Sequence, residues 1–278
     1  MAKNFRKFFT KEDLVRQLDC MGIPRNRIVL MHSSLSLIGR VDGGAEGLLD
    51  TLIEYFTKDG GLFCVPTHTW GNLGKEITLD MSDTDTSLGA FSTVALLDKR
   101  GVRSQNPTHS MVVFGNKQKA LDFIKDEPLV TSGTSPDSCY GKIYREGGFV
   151  LLVGVGHNRN TYLHCVEEII GTPNRLSEPR EVAVRLSTGR IVKSLIRTHK
   201  TDFTPDVSMR FPKYEIPFRY HGGITDGFIG NAPAQCCDAR IMKEVMELIQ
   251  KNSLGQDPLF EEKEIPKKWY RFSKEAED

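Results

Sequence analysis

The sequence predicts an α/β fold in one domain, spanning residues 1–278. Three features point to it. Short apolar runs at 27–31, 62–65, 111–114 and 149–153 have the length and composition of buried strands. Segments with apolar residues at helical spacing alternate with them. The chain has 278 residues, 39% of them hydrophobic and 26% charged, which one large domain with a real core accommodates.

The elements follow in order. Thr10 can cap a first helix that has Asp13 at its third position and Leu14, Val15, Leu18 and Met21 on one face; Gly22 and Pro24 end it. Residues 27–31 read as a buried strand. The segment 44–56 carries Leu48, Leu49, Leu52, Ile53 and Phe56 at helical spacing, and Gly60-Gly61 turns into the run 62–65. That order is a βαβ-like unit. The polar segment 71–87 directly follows a strand, so it is either a substrate-facing loop or ordinary surface. A helix over 88–99, the strand 111–114 and a helix over 117–125 come next. Gly147-Gly148 leads into 149–153, the clearest buried strand, and a helix over 161–170 follows. Alternation across 181–197, with Thr188-Gly189 at its middle, reads as a hairpin. An amphipathic helix over about 238–250 carries Ile241, Val245, Leu248 and Ile249, and the charged tail 258–278 wraps or frays.

Charge and cysteine usage exclude several classes. Lys plus Arg is 37 against 36 for Asp plus Glu, a net charge of +1. A balance this close gives no electrostatic footprint for nucleic acid or an acidic membrane. No run approaches the roughly 18 apolar residues of a membrane span. The basic N-terminus lacks the apolar stretch of a secretion signal, so a cytoplasmic protein is expected. The six cysteines form no C-x-x-C pair, and Cys236 and Cys237 are adjacent. Reduced thiols and no metal site are the expectation.

Four polar clusters lie at predicted strand ends, where ligands usually sit in an α/β sheet. The first contains His32, Ser33, Ser34, Leu35 and Ser36 and runs into Gly43-Gly44; hydroxyls and backbone amides there suit phosphate or carbonyl oxygens. It is neither a Walker loop nor a dinucleotide G-x-G-x-x-G. The second, Pro66 to Trp70, includes His68. The third, Arg103 to Ser110, includes Ser104 and His109, and Arg103 could pair with a phosphate. In the fourth, Asn160 is a candidate helix cap, and His164 and Glu167 are three apart on one helix face. A carboxylate beside an imidazole fixes its tautomer and raises its basicity, as a general base requires. Each cluster alone could be caps and turns; their convergence supports a small-molecule enzyme with a histidine base. Two alternatives use the same residues: a thiol enzyme built on Cys165 beside His164, and a metal-binding module with His164 and Glu167 as ligands.

Together these residues resemble the antibiotic N-acetyltransferase family, typified by the aminoglycoside 3-N-acetyltransferases. The resemblance lies in H-S-S-L-S-x-I-G-x-V-x-G-G-A at 32–45, G-x-x-x-x-P-T-H-T at 61–69 and R-S-x-x-P-T-H-S at 103–110. It continues in L-L-x-G-V-G-x-x-x-N-T-x-L-H-x-x-E at 151–167 and a weaker G-x-A-x-x-x-x-x-D-A at 230–239, covering about residues 10–250. It implies a mixed sheet with flanking helices, in a fold unlike that of the GCN5-like acetyltransferases. It also implies acetyl transfer from acetyl-coenzyme A to a primary amine by direct attack. On it, His164 is the general base, and Glu167 or Asp202 orients the ring, Asp202 being favoured for the imidazole contact. The loop 32–38 would hold the thioester or pantetheine and stabilise the oxyanion. Arg103, Ser104, His109 and Ser110 would lie toward the cofactor. His68, Trp70, Asp80 and Asp83 would meet the amine, and a homodimer is compatible with the resemblance. Many members carry His-Pro where this chain has Asn106-Pro107, which leaves that histidine's role vacant or with His109. A different amine substrate remains an alternative.

Overall fold

The computed structural model describes residues 8–200, 202, 206–260 and 263–271. The four apolar runs become the inner strands of a seven-stranded mixed sheet. Its order across the sheet is Ile224–Ile229, Ala232–Asp238, Phe149–Val153, Ile28–Ser33, Leu62–Pro66, Met111–Phe114 and Val102–Arg103. The middle three strands are parallel, and an antiparallel pair closes each side. Ile28–Ser33 and Leu62–Pro66 are neighbours joined through the helix Gly44–Thr57, which is the βαβ unit expected.

Strand alternation divides the core in two. Ile28, Leu30, Val113, Val150 and Leu152 face one layer, with the helices Lys117–Ile124, Cys139–Arg145, Tyr162–Ile169 and Ala239–Asn252. Val29, Met31, Val112, Leu151 and Val153 face the other, with Lys11–Cys20, Gly44–Thr57 and Ala90–Leu97. Thr10 and Asp13 form the reciprocal capping box read from the sequence. No helix among the described residues is long and apolar enough to cross a membrane.

The hairpin is present as Arg180–Arg185 paired with Ile191–Ile196, turning through Gly189 at φ +82°. The segment 71–87 is more ordered than a plain loop: Leu79–Asp80 joins that hairpin in parallel with Arg180–Arg185, making a second, three-stranded sheet. The described part of the tail packs rather than frays. Leu259, Trp269 and Tyr270 are buried, and Asn252 donates to the Trp269 carbonyl at 3.0 Å. Residues 272–278 lie outside the described residues.

Candidate active site

All four polar clusters reach one edge of the sheet. The parallel strands end there, so His32 and Ser33 lie beside Leu152 and Val153, and the Ser34 amide donates to the Val153 carbonyl at 2.9 Å. Met111–Phe114 runs the opposite way, and its preceding residues therefore arrive at the same edge. The Thr67 amide donates to Ser110 at 2.8 Å and that of Thr69 to Thr108 at 2.9 Å.

Four of the seven histidines form a chain at this edge. Ring centroids are 4.7 Å apart for His68 and His109, 5.7 Å for His109 and His199, and 4.0 Å for His199 and His164. Three are tied to hydroxyls: His68 Nε2 to Tyr140 at 2.8 Å, His109 Nδ1 to Thr108 at 2.9 Å and His199 Nε2 to Thr134 at 2.8 Å. Gly133 permits the approach, because a Cβ there would stand 2.1 Å from His109 Nδ1. Burial, reinforced by neighbouring imidazoles, holds His68, His109 and His199 well below the ordinary histidine range. They are neutral at pH 7.

His164 differs from these three. Its side chain keeps 13% exposure on the helix Tyr162–Ile169, with Nδ1 buried. One helical turn places Glu167 beside it, Oε2 lying 3.6 Å from Nδ1. That exceeds a hydrogen bond but is a separation that substrate binding commonly tightens. The other oxygen of Glu167 accepts from Arg175 Nε at 2.6 Å, and Arg175 Nη2 lies 2.8 Å from Asp257. A buried carboxylate held by a guanidinium thus flanks a partly open imidazole.

Other expected residues fall in three groups. Around the first loop, His32 is buried and pushed down to about 4 by burial, Ser34 Oγ lies 3.2 Å from Ser36 Oγ, and Leu35 opens the short helix Leu35–Ile38. Beside it, a cleft of about 690 Å³ is lined by Leu37, Gly154, Val155, Phe228, Pro233 and Ala234 among others. Gly154 adopts φ +64°, and a Cβ there would press on Leu37 at 3.0 Å.

The second group serves the scaffold. Ser104 and Ser110 are enclosed; Ser104 Oγ accepts from the Met111 amide and Ser110 Oγ donates to the Thr67 carbonyl. Arg103 donates to the carbonyls of Asp80 and Thr67. Both serine hydroxyls are thus bonded to backbone. Asn160 does not cap the helix with its side chain, which bonds His157 instead. Cys165 is buried, and burial pushes its thiol well up.

The third group surrounds the polar loop. Trp70 is 49% exposed and Asp83 is exposed, whereas Asp80 is paired with Arg185 at 2.9 Å. Asp202 is exposed. Among the described residues Glu167 is the carboxylate within ion-pair reach of His164. No three His, Cys, Asp or Glu among the described residues form a group able to hold a metal.

Sequence reasoning missed Tyr140, Thr134, Glu168, Arg175 and His199. None shares a local spacing with His164 except Glu168, which follows Glu167 directly. Asn106 gains a role: it donates to the Gly133 carbonyl at 2.9 Å and accepts from the His109 amide at 2.9 Å, bracing the histidine chain.

Comparison with known proteins identifies the family. A family model described as aminoglycoside 3-N-acetyltransferase matches residues 30–250. The SPbeta prophage-derived aminoglycoside N(3')-acetyltransferase-like protein YokD of Bacillus subtilis (strain 168) is 28% identical over 178 residues, covering 57% of this chain and 64% of YokD. Aminoglycoside N(3)-acetyltransferase IV of Salmonella sp is 28% identical over 184 residues, 66% of this chain and 67% of that one. The solved structure of AAC-IIIb with CoASH superposes with a TM-score of 0.73 at 22% identity, covering 86% of this chain and 94% of that one, a likeness of fold. With the family model spanning both the loop 32–45 and the His164 helix, the chain belongs to the aminoglycoside 3-N-acetyltransferase family.

Proposed function

We propose that the protein transfers an acetyl group from acetyl-coenzyme A to a primary amine, the 3-amino group of an aminoglycoside, by direct attack. The arrangement of His164, Glu167 and Arg175 carries this reading: a partly open imidazole backed by a buried, charge-compensated carboxylate. His164 takes a proton from the attacking nitrogen as the N–C bond forms. The C–S bond then breaks, and the leaving thiolate takes a proton from the imidazolium. Glu167 holds the Nδ1 proton and stabilises the charged ring.

The acetyl donor finds a fitting surface. The cleft beside Leu37 and Gly154 is mostly apolar, which suits an uncharged pantetheine arm, and Arg219 at its rim is already engaged by Glu215 and Asp226. The first amides of Leu35–Ile38 take no side-chain cap and can meet the thioester oxygen. The CoASH bound by AAC-IIIb agrees with this reading. On it the enzyme works on small molecules in the cytoplasm, alone or as a homodimer.

One observation favours a second reading within the same family. Asp80, the acid nearest to a role in receiving a polycation, is paired with Arg185, which suits a less cationic amine. A thiol-release assay with acetyl-coenzyme A and a panel of aminoglycosides and simpler amines decides. His164→Ala is expected to lower kcat by about 10²- to 10⁴-fold with little change in cofactor binding by titration calorimetry. An unchanged rate refutes the base assignment, and no binding of acetyl-coenzyme A at millimolar concentration refutes the reaction.

A further inference from the structure

His199 lies one ring away from His164 and has its own carboxylate. Glu168 Oε1 accepts hydroxyl protons from Ser132 and Thr134, each at 2.7 Å, and Ser132 also reaches Oε2 at 2.7 Å. Burial raises the Glu168 carboxyl and the bonds from Ser132 and Thr134 oppose that rise; as the acceptor of both hydroxyls, Glu168 takes the one proton of Thr134. Thr134 Oγ1 also lies 2.8 Å from His199 Nε2, and there it can only accept. Nε2 of His199 must therefore carry its proton, which leaves Nδ1 bare. That nitrogen is enclosed and has no hydrogen-bond partner among the described residues.

The His199 ring then lies against His164 at 4.0 Å with 25° between planes, while Phe211 meets His164 edge-on at 4.8 Å. Glu167 lies 3.6 Å from one edge of His164, and the stacked ring of His199 covers its face. A neutral neighbour is the one His164 can tolerate at this distance when it becomes an imidazolium, since two stacked cations repel. Burial in the histidine chain keeps His199 uncharged.

We propose that His199 is a positioning residue of the acetyl-transfer site, locked by Thr134 and Glu168 as the neutral Nε2–H tautomer so that its ring fixes the plane of His164. The proposal rests on His164 being the general base. It names a second carboxylate arm, Glu168–Thr134–His199, alongside the arm through Glu167.

The test uses the full chain labelled with ¹⁵N-histidine. Long-range proton–nitrogen correlation spectra at pH 7 are expected to show His199 protonated at Nε2 and bare at Nδ1. Thr134→Val, which keeps the shape and removes the hydroxyl, is expected to give a mixture of tautomers and to lower kcat by up to about 100-fold with KM unchanged. Thr134→Ser is expected to restore both tautomer and kcat. His199→Phe, which keeps a flat ring, is expected to retain more activity than His199→Ala. A proton on Nδ1 in the wild type, or wild-type kcat in Thr134→Val, overturns the role of His199 and leaves the acetyl-transfer reading intact. Absence of acetyl transfer to every amine, with the tautomer locked, overturns the reading of the site and the role of His199 with it.

Discussion

Glu167 is 1% exposed and forms a buried ion pair with Arg175 at 2.6 Å. Removing one partner of such a pair leaves an uncompensated buried charge. Arg175→Ala is therefore expected to cost about 3–5 kcal/mol, read from the urea midpoint, while a loss below about 1 kcal/mol would show that the pair does not hold the site. The pairing of His164 with Glu167 was legible in the sequence, because a three-residue step on a helix has one geometric outcome. Arg175, Thr134 and His199 were not legible. They come from loops whose approach to His164 depends on how the tail, the second sheet and the helix Tyr162–Ile169 close together.

At the scale of elements, the inner strands were readable as apolar runs buried on both faces. The hairpin Ile224–Ile229 and Ala232–Asp238 was not. Asp226, Gly227, Pro233 and Gln235 interrupt it, and half of its outer strand is exposed. The polar loop concealed the strand Leu79–Asp80 for a similar reason: two residues give no period, and the hairpin Arg180–Arg185 supplies the order. That docking has a chemical cost to Asp80. Bonds from Ser82 and then the Arg185 guanidinium hold its carboxyl below the ordinary range, so it stays ionised, but its charge is already answered. Arg185→Ala is expected to lower KM for a polycationic aminoglycoside by about 2- to 5-fold at unchanged kcat, the range of one exposed ion-pair partner. An unchanged KM would place the amine away from this loop.

For the whole molecule, acid is the vulnerable direction. His32, His68, His109, His157 and His199 are all held below the ordinary histidine value by burial, His32 and His157 to about 4. Between about pH 6.5 and 4 the unfolded chain binds more protons than the folded one, so stability rises with pH across that window and falls as pH drops. Each such histidine adds about 1.4 kcal/mol per pH unit to that slope. The thermal midpoint is expected to fall steeply from pH 6.5 to 5 and to change little from 7 to 8. A flat profile below pH 6.5 would mean that these imidazoles are not buried neutral. The near-equal totals of 37 and 36 charges say nothing of this asymmetry, which depends on where the seven histidines sit.

The chain of four imidazoles has a consequence for how the enzyme comes into being. Its members are drawn from positions 68 to 199, and no two of them are neighbours in sequence. Contacts between them of such long sequence separation form late because the loops between them must close first. Catalytic competence is thus a late event of maturation, and a nascent chain that has formed its parallel strands is still inert.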